Sequence, residues 1–146
     1  EVKQPLLINQ LQLSAAFTPG FDAGFHVNME GDKAAVRDGS VFEYCKLNDM
    51  VIQAWSVLQF GYFKGNFVGN EKFQQLNQVL NRLALKYGVS PSAIAIAWVL
   101  RYPAKMQAVV GTTNPKHLIE ASQASHVNLT RKEWYEIYLA AGNDLP

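Results

Sequence analysis

The sequence has one cysteine, Cys45, so no disulfide can close within it. A lone thiol excludes a disulfide-stapled secreted scaffold and favours a reducing compartment. Long hydrophobic runs are also missing: none approaches the ~20 apolar residues needed to cross a bilayer as a helix. The opening EVKQPLLINQ has too short an apolar core for a secretory leader. The expectation is therefore a cytoplasmic protein with no membrane partner. Charge of one sign is scarce, with 13 Lys and Arg against 12 Asp and Glu, a net charge of +1 and no basic block. That balance gives no electrostatic footprint for nucleic acid. The histidines, His26, His117 and His126, stand apart in the chain, so no Cys/His cluster has metal spacing.

What is present is an ordinary globular composition, 49% hydrophobic and 17% charged over 146 residues, enough for one domain with a real core. Leu6 to Leu13, LLINQLQL, reads as a strand. A long aperiodic stretch follows, SAAFTPGFDAGFHVNMEGDKAAVRDG, read as a loop that is either functional or disordered. Ser40 opens a short helix, with Glu43 completing a capping box, and Asn48-Asp49 ends it before a strand from Met50 to Ala54. Asn70 suits the N-cap of an amphipathic helix whose Phe73, Leu76, Leu80, Leu83 and Tyr87 share a face, and Gly88 stops it. Ser90-Pro91 starts the next helix; Ala93 to Leu100 is apolar all round, which predicts packing on several sides, and Pro103 ends it. Gln107 to Val110 is a third short strand. Asn114-Pro115 starts a helix through about Ala124, and Thr130 with Glu133 is a second capping box, opening a last helix with Trp134, Ile137 and Tyr138 on one face and Gly142 at its close.

Strands alternating with helices imply an α/β fold of right-handed parallel βαβ units. Three strands are few for a parallel sheet, which leaves a small α/β domain or a piece of something larger. In such folds ligands sit at the carboxyl ends of the strands. Those ends carry Asn9 and Gln10, then Trp55-Ser56, then Gly111-Thr112-Thr113-Asn114. At the third, a helix N-terminus with Lys116 and His117 beside it suits a phosphate. The plainer reading is that Asn114-Pro115 is only a good cap. Likewise Trp55 reads as a packing aromatic, Gln10 as a partner for neighbouring backbone, and Asp22, His26 and His126 as loop polar groups. Phe17, Phe21 and Phe25 read equally as an apolar pocket wall or as loop packing.

Taken together, the segments Asn9-Gln10, YCKLNDMVIQAWSVL, AIAIAWVLRYP, GTTNPKHLIEA and LTRKEWYEIYLAAGNDLP occur in order across nearly the whole chain. This set resembles the C-terminal half of an aldo-keto reductase, in the bacterial predicted-oxidoreductase branch. The resemblance implies that residues 1–146 form, without internal boundary, about strands six to eight of a (β/α)8 TIM barrel. It implies NADPH as cofactor: Trp55 stacked on the nicotinamide, Gln10 on its carboxamide, Ser56 and Leu58 along the pyrophosphate, Thr112, Asn114, Lys116 and His117 around the 2′-phosphate, and Glu120 at the adenine. Three departures stand out. Val57 replaces the usual Pro after Trp55-Ser56, QFG replaces a run of Gly, and His117 stands where Arg is common and lacks its bidentate fork.

The family's catalytic Asp, Tyr, Lys and His correspond to no residue of this chain; Tyr44, Tyr62, Tyr87, Tyr102, Tyr135 and Tyr138 do not match the tyrosine motif. The implied function is NADPH-dependent reduction of aldehydes or ketones by a parent enzyme, with this segment alone inactive and a small carbonyl compound as substrate. The alternatives are a non-catalytic NADPH-binding module and a half-barrel assembly fragment. Such a sheet has two open edges, so its expected partner is the missing N-terminal half or another copy of itself.

Overall fold

The computed structural model describes residues 4–25, 40–61 and 64–145. Tyr62, His26, the Phe25 side chain and the Ser40 hydroxyl lie outside it. The order of elements is β1 (Ile8–Gln12), α1 (Pro19–Phe25), α2 (Ser40–Leu47), β2 (Val51–Trp55), α3 (Gln74–Tyr87), α4 (Pro91–Leu100), β3 (Met106–Ala108), α5 (Pro115–Ser122) and α6 (Arg131–Ala140). The strands form one parallel sheet in the order β1-β2-β3. Register pairs Ile8 with Val51, Gln10 with Gln53 and Gln12 with Trp55, and Gln53 in turn with Gln107.

Side chains alternate across a strand, so Ile52 and Ala54 enter one face and Val51, Gln53 and Trp55 the other. The first pair is fully buried in the main core, whereas all three of the second set keep some exposure. Among the described residues, the helices cover only the first face. There α3 contributes Leu76, Leu80 and Leu83, α4 its whole Ala93–Val99 run, and α6 Trp134, Ile137 and Tyr138. Trp98 and Trp134 stack with ring centres 4.7 Å apart and planes 10° from parallel. Each indole N–H donates to the other residue's carbonyl at 3.0 Å. Two large donors are thereby buried without an unpaired group.

The helix starts follow local chemistry. Ser90 accepts from the Ala93 N–H with Pro91 in the first turn, and Asn114 accepts from the Lys116 N–H with Pro115 likewise. Thr130 and Glu133 cap each other's backbone. Gly88 ends α3 at φ 66°, a left-handed position where a side chain would be strained.

Several expectations need correction. The stretch after β1 is not all loop, because α1 lies in it. Pro19 pre-sets the first turn and the Thr18 carbonyl accepts from the Phe21 and Asp22 N–H groups. Asp22 is accordingly a helical anchor, accepting from the Tyr138 hydroxyl at 2.8 Å and the Thr18 hydroxyl at 3.0 Å. Phe21 is core rather than pocket wall: it is buried and stacks on Tyr102 at 4.9 Å. Asn70 caps a single 3-10 turn, Glu71–Phe73, before α3 proper begins. The third strand is Met106–Ala108, with the Val109 N–H making a last bond to the Ala54 carbonyl at 2.8 Å, and the second runs on to include Trp55. The helix at Pro115 stops at Ser122 and tightens to a 3-10 turn, Gln123–His126.

No single helix among the described residues is long and apolar enough to cross a membrane. Nor do those residues contain a group of three or more His, Cys, Asp or Glu that could hold a metal.

Candidate functional site

At the carboxyl ends of β2 and β3 the chain forms a cavity of about 500 Å³. Trp55, Ser56, Val57, Leu58 and Gln59 form one wall, and Val109 to Thr112 with His117, Glu120 and Ala121 form the other. Ser92 and Ile96 of α4 close the floor, and Asn66 joins from the loop. The volume lies within the range of small-molecule sites, and the lining mixes apolar walls with a few polar groups.

The turn after β2 is held in an uncommon conformation. Ser56 sits at φ 53°, left-handed and without the freedom of glycine. An L residue there costs about 1 kcal/mol, so the surroundings must fix it. They do: the Gln59 N–H donates to the Ser56 carbonyl at 2.9 Å, and the Ser56 hydroxyl to Gln59 Oε1 at 3.3 Å. Val57, in place of the expected Pro, is 3% exposed and anchors the turn by burial instead of ring geometry. The following loop folds back on itself. Gln59 and Asn66 form an antiparallel bridge, and the Phe67 N–H donates to the Leu58 carbonyl at 3.1 Å. The Ser14 hydroxyl, just beyond β1, donates to the Gln59 carbonyl at 2.6 Å and ties that loop to the first strand.

Of the residues predicted from sequence, the fold gathers Trp55, Ser56, Leu58, Thr112, His117 and Glu120 around this one cavity. Asn114 and Lys116 do not line it: the Asn114 side chain caps α5, and Lys116 is exposed on the helix's first turn. Gln10 lies apart as well, on the open sheet face. Its Nε2 donates to Gln53 Oε1 at 2.7 Å, and Gln53 Nε2 donates to Gln107 Oε1 at 3.0 Å. The three amides form a ladder across the sheet. Gln59, Asn66 and Ser92 were missed from sequence. Ser92 follows the Ser90-Pro91 start signal and so was within reach, because the first turn of α4 abuts the strand ends. Gln59 and Asn66 meet only through the folded-back loop, which has no periodic signature.

A second concavity lies between α2, the end of α4 and the start of α6, around Arg101, Tyr102, Arg131 and Trp134. Burial, followed by the charge of Glu43, pushes the Tyr102 hydroxyl up to about 12. It contains no strand-end residue.

A parallel α/β sheet with a ligand-sized cavity at the carboxyl ends of its strands is the usual layout of a site in the α/β class. Residues 27–140 match the Aldo/keto reductase family, and the chain belongs to that family. It is 32% identical over 142 residues to a 6-dehydroglucose reductase of Agrobacterium fabrum, a match that takes in 96% of this chain and 40% of the relative. The fold is similar to that of an aldose reductase from Giardia lamblia, with a TM-score of 0.67 at 16% identity over 100% of this chain and 40% of the other. It is also similar to a Gox0644 variant solved in complex with NADPH, with a TM-score of 0.55 at 18% identity over 92% and 38% of the respective chains. The chain thus spans about 40% of the length of the Agrobacterium relative it matches.

Proposed function

We propose that this chain supplies strands six to eight of a (β/α)8 barrel and much of an NADPH site, and that the whole polypeptide reduces aldehydes or ketones to alcohols. The observation that carries this reading is the single strand-end cavity that Trp55, Ser56, Leu58, Thr112, His117 and Glu120 share. Trp55 offers a flat π face on which a nicotinamide stacks, so that one side of the ring presents its hydride. The Ser56 turn and Leu58 follow the pyrophosphate. Thr112 and His117 take the adenosine 2′-phosphate, with Lys116 and Asn114 at its outer side, and Glu120 meets the adenine. The basic pair is the reason to favour NADPH over NADH. Gln10 reaches the carboxamide from the neighbouring strand.

No tyrosine lines the cavity among the described residues. The proton donor for carbonyl reduction then comes from another part of the polypeptide, which also covers the open face and edges of the sheet. The same observation favours a second reading, a non-catalytic NADPH-binding module. Calorimetric titration with NADPH and NADH tests the shared premise: tight NADPH binding that Trp55→Ala weakens supports both readings, and absence of binding sinks both. Turnover then separates them, and the Agrobacterium relative's name makes a dehydrogenated sugar a rational first carbonyl substrate.

A further inference from the structure

The concavity between α2, the end of α4 and the start of α6 has a volume of about 390 Å³, enough for a small organic molecule. Its charges do not balance. Lys46 and Glu43 answer each other, with Nζ 3.2 Å from Oε1. Arg101 and Arg131 line the same cavity, and among the described residues neither has a carboxylate at ion-pair distance. Both guanidiniums are nonetheless held in place. Arg101 Nε donates to the Leu129 carbonyl at 3.1 Å, and the Arg131 guanidinium lies 5.8 Å from the centre of the Tyr135 ring. The Arg101 contact uses only the Nε hydrogen and leaves the terminal nitrogens for a ligand. The remaining walls are aromatic and already fixed. Trp134 is buried in its stack on Trp98, while Tyr102 stacks on Phe21 at 4.9 Å and meets Phe42 edge-on at 5.3 Å. The Tyr102 hydroxyl, which titrates only at about 12, stays a donor at neutral pH. Anything that binds here meets a preformed surface and spends little on ordering it.

We propose that this concavity is a second ligand site that takes a small aromatic carboxylate, its carboxylate paired with the Arg101 and Arg131 guanidiniums and its ring against Tyr102, Trp134 and Tyr135. A planar carboxylate matches a guanidinium fork through parallel hydrogen bonds, and a flat ring suits aromatic walls. An inorganic anion would leave those walls bare, and a neutral aromatic would leave both cations unanswered. Among the described residues the two cavities share no lining residue. Helix α4 stands between them: Ser92 and Ile96 line the strand-end cavity, while Arg101, at the C-cap, lines this one. The site is independent of the NADPH reading, because none of its residues belongs to the strand ends.

The test titrates the native polypeptide that carries this sequence, by calorimetry, with benzoate, with benzyl alcohol as the neutral analogue and with sulfate as the ring-free anion. The same titrations are made on Arg101→Lys, Arg131→Gln and Trp55→Ala, with a thermal melt of each. Arg101→Lys keeps the charge and loses the fork. Arg131→Gln removes a charge at an exposed position, so it decides the matter if Arg101→Lys melts early through loss of the Leu129 contact. The expected result is benzoate binding that exceeds that of either control by about tenfold or more. Arg131→Gln should weaken it by about tenfold, the worth of one charged hydrogen bond, at an unchanged melting temperature. Trp55→Ala should leave it as it was. The proposal is overturned if benzoate does not bind, if sulfate binds as tightly, or if Arg131→Gln leaves benzoate affinity unchanged. Loss of benzoate binding in Trp55→Ala alone would place the ligand in the strand-end cavity and overturn it equally.

Discussion

The two faces of the sheet solve the problem of buried polar groups in opposite ways. On the helical side, Trp98 and Trp134 answer each other's N–H groups, and Glu133 serves as a hub. It accepts from the Lys86 ammonium at 2.6 Å and from the Tyr87 hydroxyl, the Thr130 hydroxyl and the Thr130 N–H at 2.8 Å each. On the open side, a polar ladder runs across the strands, an amide is left without an acceptor, and Ile8 is more than half exposed. One face is covered by helices of this chain, and the other keeps partial exposure. Stability and binding should therefore respond to different substitutions.

The largest expected effect is on the helix-covered face. Trp98→Ala removes the stacked pair, empties a fully buried site and takes away the indole N–H that the Trp134 carbonyl accepts. A loss of about 3–5 kcal/mol follows, read as a lower urea midpoint. Cofactor affinity of whatever protein remains folded should not change, and a parallel loss of both would break the division between the faces.

Glu133 comes next. Burial alone would raise its carboxyl, but Lys86, the Thr130 backbone and hydroxyl and Tyr87 together pull it down to about 2 from 4.5. A carboxyl lowered on folding stabilises the native state above the unfolded value, and that contribution disappears as pH falls from about 4.5 towards 2. Glu133→Gln should cost about 2 kcal/mol at neutral pH and flatten the acid limb of a stability-against-pH curve. If the limb keeps its slope, other carboxylates carry the acid response.

Trp55→Ala sharpens the comparison from the open face. Trp55 is only partly buried, so the melting temperature should move little. NADPH binding should weaken by about tenfold, corresponding to ~1–1.5 kcal/mol for one aromatic stack, as measured by calorimetry. The smallest effect is expected of His117→Arg, which gives the 2′-phosphate a bidentate, always-charged partner. NADPH should bind about threefold more tightly, with NADH and stability unchanged; a similar gain for NADH would place residue 117 away from the 2′-phosphate.

The parts of the fold that sequence made legible are those with short-range causes. Ser90-Pro91, Asn114-Pro115, the Thr130-Glu133 box and Gly88 each act within a turn, and each sits where its chemistry requires. The first helix was hidden because its reasons are distant. Two glycines and no period mask Pro19–Phe25, whereas Phe21 packs on Tyr102, Trp98 and Trp134, and Asp22 is held by Tyr138, 116 residues away. The same holds at the site. Trp55, Ser56 and Thr112 follow from strand ends, which a sequence marks, whereas the pairing of Gln59 with Asn66 needs a loop closure that it does not mark. The unpartnered amide of Gln12 was beyond sequence reasoning, since only the register with Trp55 reveals its surroundings.

The stacked indoles of Trp98 and Trp134 also have an optical consequence. Two parallel chromophores 4.7 Å apart couple electronically, and the coupling exists only while α4 and α6 are docked. The third tryptophan, Trp55, is the one at the cavity. Circular dichroism of the coupled pair therefore reports the integrity of the helical layer, while emission from Trp55, isolated by comparison with the Trp55→Ala protein, reports occupancy. The chain carries two native spectroscopic channels, one for each face, and needs no added label to read them separately.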